Sequence, residues 1–514
     1  MNKITRRQAL KIGAFAAGSS PLWLPIALQR VGYAATAGSP QPTPFRVKLP
    51  IPPILKPVRS DETTDYYELT MKKSLVEILP GLKTEIWSYN GIAPGPTIVQ
   101  RGGTGALGGR QSVVRFINNL GRPTSVHLHG MAALPQYDGY AEDMIRPGRY
   151  KDYIYPNNRA ATLWYHDHAT HETARNVYMG LAGMYIVQDN LELALPLPKG
   201  EYDVPLIIQD KIFAKDGSLI FDNDFNDANN DSHEGLMGDV ILVNGAPWPR
   251  MEVANRKYRF RVLNASSSRS YKLALSTGDD LIVIGTDAGL MGAPVRTKDL
   301  RIAMAERYEF IIDFSKYPIG TQVVLQNLAL PNNKNYDGTN RIMRFDVVRG
   351  DRDDSSIPST LRPFQPILES SAVRTREWAF EHRNDMWKIN GKIWDKNRVD
   401  ANPSVGDVEI WRFINVARDW FHPVHVHLVD FQILDRNRQP PLPYERGWKD
   451  VVYLGEGEDI RVIARFGPHR GKYMMHCHNV VHEDHDMMTQ WQVGQDGPDP
   501  VTTDAPKPLP APSL

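Results

Sequence analysis

Ten of the 15 histidines fall in or beside four short clusters whose spacing suits metal ligands. His127-Leu128-His129-Gly130 and His166-Asp167-His168 lie in the first third of the chain. His422-Pro423-Val424-His425-Val426-His427 and His476-Cys477-His478 lie in the last third, with His482 and Met487 just beyond. On a β-strand, residues i and i+2 share a face, so a His-X-His pair aims two imidazoles at one object. Four such pairs, drawn from two parts of the chain, predict a multinuclear metal site between those parts. Imidazole suits zinc as well as copper, but zinc leaves Cys477 unexplained. It is the only cysteine, so no intrachain disulfide can form. Two imidazoles, one thiolate and a weak axial thioether make a trigonal blue-copper site; Cys477, His482 and Met487 supply three of these, with His422 as the second imidazole. Side chains alternate along a strand, so Cys477 faces this mononuclear copper while His476 and His478 face the multinuclear cluster. Met488 competes with Met487 for the axial place, and the spacing favours Met487. His171, His233, His382, His469 and His485 read as ordinary core or surface histidines.

Holding imidazoles in such pairs requires strands, and the chain supplies them as a threefold repeat. An Asn-Gly turn followed by an apolar strand ending in Asn occurs at Asn90-Gly91 with Arg115–Asn118, at Asn244-Gly245 with Arg261–Asn264, and at Asn390-Gly391 with Arg412–Asn415. The turns are 154 and 146 residues apart, one domain each. Alternating runs such as 113–117, 258–262 and 408–413 read as sandwich strands, with loops at the sheet ends free to host a site. Linkers are expected near 190–202 and 350–375, giving domains at 38–190, 191–350 and 351–495. The Pro-rich tail, 496–514, is expected to be disordered. The second repeat has Ser266-Ser267-Ser268 where a ligand cluster would sit and no histidine pairs, so it reads as a spacer.

Length and composition agree with this division. The 514 residues exceed one ordinary core, and 39 Gly with 39 Pro among short Val/Ile/aromatic runs disfavour an all-helical enzyme. Lys plus Arg (60) nearly cancels Asp plus Glu (59), so no basic field gathers nucleic acid or anionic membrane. Residues 1–37 read as a targeting segment, with the twin arginines Arg6 and Arg7, an apolar stretch from Ile12 to Leu28, and a small-residue cleavage site at Ala35-Thr36-Ala37. Gly, Ser and Pro interrupt the apolar stretch, so it makes a poor permanent membrane anchor. Export to the periplasm or beyond by the twin-arginine route is expected.

At these residues the chain resembles the multicopper oxidases, through HLHG (127–130), HDH (166–168), HPVHVH (422–427) and HCHNVVHEDHDM (476–487). Within that family it is similar to the bilirubin oxidases and, more distantly, to bacterial spore-coat-type laccases. DGYAEDMIRPG (138–148), GDVILVNGAPWP (238–249), MAERYEFIIDFS (304–315) and DWFHPVHVHLVDF (419–431) carry this likeness. The resemblance implies an all-β chain of three consecutive cupredoxin-like Greek-key sandwiches holding four copper ions. His422, Cys477, His482 and Met487 would take type 1 copper, and His127 and His425 type 2. His129, His166, His168, His427, His476 and His478 would take the type 3 pair. It further implies that electrons pass one at a time from a small-molecule phenol or tetrapyrrole, through an exposed edge of His482, to a cluster that reduces O2 to water. Asp138 and Glu483 match acidic positions that relay protons in relatives. Trp420 matches a tryptophan that sits against the type 1 ligand in bilirubin oxidases. A metallo-oxidase acting on Cu(I) or Mn(II) is the rival enzyme, although no Met-rich insertion is present. A copper-free scaffold would require missing ligands, and none is missing. A monomer is expected.

Overall fold

Short alternating runs bounded by turns set the architecture. The strand Gln111–Asn118 buries every second side chain against one core, as a strand with one wet face must. The computed structural model describes residues 38–103, 109–221, 234–417 and 420–510. The targeting segment expected over 1–37 lies outside them, and so does His233. Among the described residues no helix is long and apolar enough to cross a membrane.

Among the described residues six sheets form three consecutive sandwiches, as expected. In the first, a six-stranded sheet containing Thr64–Val76, Gln111–Asn118 and Arg149–Tyr155 faces a four-stranded one. The latter is built from Gly95–Arg101, Ala182–Gln188, Ala161–Asp167 and Val126–His129. The second sandwich has seven- and five-stranded sheets. The third has a five-stranded sheet and a four-stranded one ordered Val451–Leu454, His422–Val426, Gly471–Cys477, Met488–Val493. Each sandwich contains a corresponding parallel pair: Thr64–Val76 with Gln111–Asn118, Asp203–Lys211 with Lys257–Asn264, and Arg374–Arg383 with Val408–Asn415. Parallel neighbours need a crossover between them, so a simple meander is excluded.

The threefold repeat has a physical cause. Asn90-Gly91, Asn244-Gly245 and Asn390-Gly391 all place both residues at positive φ, the twist a two-residue hairpin needs. The flanking residues pair across each turn: Tyr89 with Ile92, Val243 with Ala246, Ile389 with Lys392. The Asn side chain then accepts from the backbone N–H of Thr70, Ile207 or Ala379, at 2.8, 2.8 and 2.7 Å. The Asn that ends the following strand does equivalent work. Asn118 donates to the carbonyls of Arg122 and Ile145, Asn264 to those of Arg269 and Ile302, and Asn415 to those of Trp420 and Gly455.

Each sandwich has its own apolar core, represented by Leu69, Phe116 and Tyr165 in the first, Leu206, Phe260 and Phe345 in the second, and Trp378, Phe413 and Trp491 in the third. A further cluster, with Trp164, Met184, Ile207, Leu263, Ala305 and Val451, draws on all three. The tail departs from expectation. Through residue 510 it is ordered: Lys507–Pro508 adds an antiparallel strand to Arg149–Tyr150, and Leu509 N–H donates to the Gly148 carbonyl at 3.2 Å. Proline is tolerated there because an edge strand has one face without ladder partners. Asp499 organises the preceding turn by accepting from the N–H groups of Val501 and Thr502.

Candidate metal centre

Two of the sandwiches carry histidines on paired strands. Val126–His129 runs antiparallel to Ala161–Asp167, with His127 opposite His166. In the third sandwich His422–Val426 runs antiparallel to Gly471–Cys477, with His425 opposite His476 and Val424 opposite Cys477. This register brings the i,i+2 pairs together, and the two sandwiches turn them toward each other. His127 Nε2 is 3.4 Å from His425 Nε2. His476 Nε2 is 3.2 Å from the Nε2 atoms of both His168 and His427. His129 stacks on His425 with ring centroids 3.6 Å apart, and His478 lies 5.1 Å from the rings of His129 and His166. All eight histidines are buried.

Most of their outward nitrogens are tied to the protein. His127, His166 and His425 donate from Nδ1 to the carbonyls of Asp138, Asp167 and Asp450. A carbonyl only accepts, so the hydrogen sits on Nδ1 and the Nε2 lone pair points inward. His427 Nδ1 bonds Asp138 Oδ2 at 2.8 Å, and Glu483 lies 3.0 Å from His476 Nδ1 and 3.5 Å from His168 Nδ1. His129 is the reverse case, with Nε2 3.0 Å from Asp450 Oδ1. His129 Nδ1, His166 Nε2 and both nitrogens of His478 are buried without a hydrogen-bond partner among the described residues. Polar atoms left so are costly, and converging lone pairs on buried imidazoles are what a metal cluster uses.

Burial disfavours the charged form of seven of these imidazoles. It pushes His127, His129, His425, His427 and His478 well below the ordinary histidine value, His166 down to about 3 and His168 to about 4. A neutral imidazole has the lone pair that a metal needs. Burial also pushes the Asp138 carboxyl well up. It acts the same way on Glu483, but the pairing of that carboxylate with His476 and His168 outweighs it and holds the carboxyl down to about 2.

The second site begins at Cys477. Its Sγ is 3.4 Å from His422 Nδ1 and 3.6 Å from His482 Nδ1, and the three form one compact donor group. His482 sits on the short helix Val480–Asp484, whose first turn is capped by the Asn479 side chain. Met487 is fully buried in the same apolar cluster as Cys477, and its carbonyl accepts from Cys477 N–H at 3.1 Å. Met488 belongs elsewhere, packed with Tyr140, Ala141 and Met474.

One expectation needs correction. His482 presents no exposed edge: the residue is buried, and its Nε2 donates to the Glu234 carbonyl at 2.8 Å. His382 is half-buried beside it. It stacks on Trp387 at 4.1 Å, and Trp387 stacks on His482 at 3.8 Å. Trp420 does meet the site, edge-on to His482 at 5.9 Å. Asp138 and Glu483 both lie against the histidine cluster rather than in a wet loop. Asp450 and Trp387 carry no motif in the sequence, and no spacing rule points to them. His171 pairs with Asp486 at 2.9 Å, outside both sites. No donor triad of metal-binding type falls in the middle sandwich among its described residues.

A buried thiol between imidazoles, one residue from an eight-histidine cluster, is the arrangement of a copper protein that moves electrons. The multicopper oxidase family matches this chain over residues 70–192, 203–342 and 367–497, one match per sandwich. A bilirubin oxidase of Albifimbria verrucaria is 43% identical over 482 residues, covering 88% of this chain and 81% of that protein. A laccase of Bacillus subtilis (strain 168) is 38% identical over 504 residues, covering 86% and 96%. The crystal structure of a laccase from Pediococcus acidilactici Pa5930 has a TM-score of 0.79 at 29% identity, covering 88% of this chain and 95% of that one. The chain belongs to the multicopper oxidase family, copper-dependent oxidoreductases that take O2 as electron acceptor.

Proposed function

We propose that the chain holds four coppers. His422, Cys477, His482 and Met487 would hold type 1 copper; His127 and His425 would hold type 2; His129, His166, His168, His427, His476 and His478 would hold the type 3 pair. Cys477 carries this reading. Its thiol faces His422 and His482 while its chain neighbours His476 and His478 face the histidine cluster, so one residue of covalent chain joins the two sites. Bound copper supplies one-electron redox chemistry at Cys477 and four-electron reduction of O2 to water at the cluster.

The chain supplies the rest. Burial shields both sites from bulk solvent. Asp138, buried and 2.8 Å from His427 Nδ1, stands where a proton can be passed to the cluster. Glu483, between His168 and His476, gives a second carboxylate through which protons pass. An electron bound for Cys477 crosses the groups that cover His482, which among the described residues are Glu234, Trp387 and Trp420.

The donors we assign are phenols and tetrapyrroles of the bilirubin kind, because relatives matched along most of the chain are a bilirubin oxidase and a laccase. Oxygen uptake with bilirubin, a dimethoxyphenol and Cu(I), measured side by side, tests this. Turnover of the organic donors is expected to exceed that of Cu(I). Turnover confined to Cu(I) would replace the assignment with a metallo-oxidase. We also assign export as a folded monomer by the twin-arginine route. Replacing Arg6 and Arg7 by Lys should leave folded precursor in the cytoplasm, and normal export of that variant would remove the assignment.

A further inference from the structure

Among its described residues the middle sandwich holds no metal-binding triad, yet one of its side chains reaches the histidine cluster. Arg307 opens the strand Arg307–Asp313 and is fully buried. Its Nη1 and Nη2 each lie 2.6 Å from a different oxygen of Asp450, in the third sandwich. Its Nε donates to the Thr162 carbonyl in the first sandwich at 3.0 Å. The remaining two N–H groups donate to the carbonyls of Ala305 and Asp287, at 3.1 and 3.0 Å. Every donor of the guanidinium is thus used. Asp450 Oδ1 then lies 3.0 Å from His129 Nε2, so one ion pair joins three sandwiches and ends on a cluster histidine.

The pair sits in a wider buried network. Lys449 Nζ lies 2.9 Å from both Asp287 and Glu306, and Asp287 accepts from the Arg307 backbone N–H at 2.8 Å. Taking several charges out of water gives little net stability, so folding alone does not explain why they stand beside the cluster. The bidentate geometry does something more specific. It clamps the Asp450 carboxylate in place, and the clamped Oδ1 can only accept from His129. The hydrogen of His129 therefore sits on Nε2, and the lone pair sits on Nδ1, which is buried and has no other partner among the described residues. His127, His166 and His425 are arranged the other way round, through backbone carbonyls.

We propose that Asp450, held by Arg307 from the middle sandwich, is a positioning residue that fixes His129 as the Nε2–H tautomer and so leaves its Nδ1 lone pair for a metal. The metal role of Nδ1 rests on reading the cluster as a copper site; the tautomer does not. The middle sandwich is then part of the cluster's construction rather than a spacer.

Nitrogen-15 histidine NMR of the full-length protein before copper loading reads the tautomer. Copper retention against a chelator, and the EPR of the loaded protein, read its consequence. In the unsubstituted protein His129 should carry its hydrogen on Nε2. Asp450→Asn keeps an oxygen acceptor and should keep that tautomer. Asp450→Leu removes the acceptor and should give a mixture, retain the blue band, and hold cluster copper about 10–100-fold less tightly. EPR-silent copper should become EPR-visible as the pair loses its coupling. Arg307→Lys keeps a cation without the bidentate fork and should loosen the tautomer in the same direction, which decides the case if Asp450→Leu does not fold. A hydrogen on Nδ1 of His129 in the unsubstituted protein overturns the proposal, as does an unchanged tautomer and copper retention in Asp450→Leu and Arg307→Lys. A protein with the Nε2–H tautomer that binds no cluster copper would instead overturn the copper reading, and with it the metal role of Nδ1.

Discussion

Gly130, directly after His129, tests how closely the three sandwiches meet at the cluster. Its φ is +91°, and a Cβ added there would lie 2.6 Å from Arg307 Nη2, 2.7 Å from Leu163 Cδ2 and 2.8 Å from Asp450 Oδ2. The first and third are the two halves of the buried ion pair, and the second is a core leucine, so no flexible surface group can give way. Left-handed backbone costs an alanine about 1–2 kcal/mol, and overpacking a filled site costs about 1–3 kcal/mol, which together give about 2–5 kcal/mol for Gly130→Ala. For a domain of this size each kcal/mol moves the melting midpoint by about 2–4 °C, so a fall on the order of 10 °C is expected. Gly121 is the control: a Cβ there meets nothing within 4 Å and its φ lies outside the left-handed region. Gly121→Ala should leave the midpoint unchanged or raise it slightly. Thermal melting followed by circular dichroism compares the three proteins, with copper content measured in parallel. If Gly130→Ala melts with the parent and keeps its copper, the close approach of Arg307, Asp450 and the HLHG turn is refuted.

Asp138→Asn should preserve the hydrogen bond to His427 but cannot cycle a proton; loss of such a group slows a proton-coupled step by about 100-fold or more. Stopped-flow should show near-normal anaerobic bleaching of the blue band and slow reoxidation by O2, and two unchanged rates would exclude Asp138 from proton delivery. Met487→Leu should raise the type 1 reduction potential, because a weak axial thioether favours Cu(II) over Cu(I). Met488→Leu, in a different packing cluster, should leave the potential almost unchanged; redox titration of the blue band separates them, and a shift confined to Met488→Leu would move the axial ligand.

What the sequence disclosed depended on how local the cause was. The histidine pairs were legible because strand alternation converts spacing in the chain directly into a shared face. The threefold repeat was legible because Asn-Gly turns need positive φ at both positions, which few other dipeptides supply. Met487 could be preferred to Met488, but only packing separates them, since one lies in the apolar cluster of Cys477 and the other against Tyr140. The pairing of Asp450 with Arg307 was not legible. They are 143 residues apart, and an ion pair between sandwiches leaves no periodic trace. The cover over His482 was missed for the same reason, since a backbone carbonyl at Glu234 can be contributed by any residue type. The tail was misjudged from composition. Proline disfavours a central strand but not an edge, and the outer face of Arg149–Tyr155 offers one.

The pairing of a blue site with a histidine cluster through Cys477 is tested most directly by copper analysis and visible absorption of the parent and of Cys477→Ser. The intense blue colour arises from thiolate-to-copper charge transfer, which a serine oxygen cannot supply. The parent should contain four coppers per chain and be blue. Cys477→Ser should be colourless, lose one copper per chain, and keep the copper held by the eight histidines. A Cys477→Ser protein that stays blue, or that loses all of its copper while remaining folded, would contradict this account.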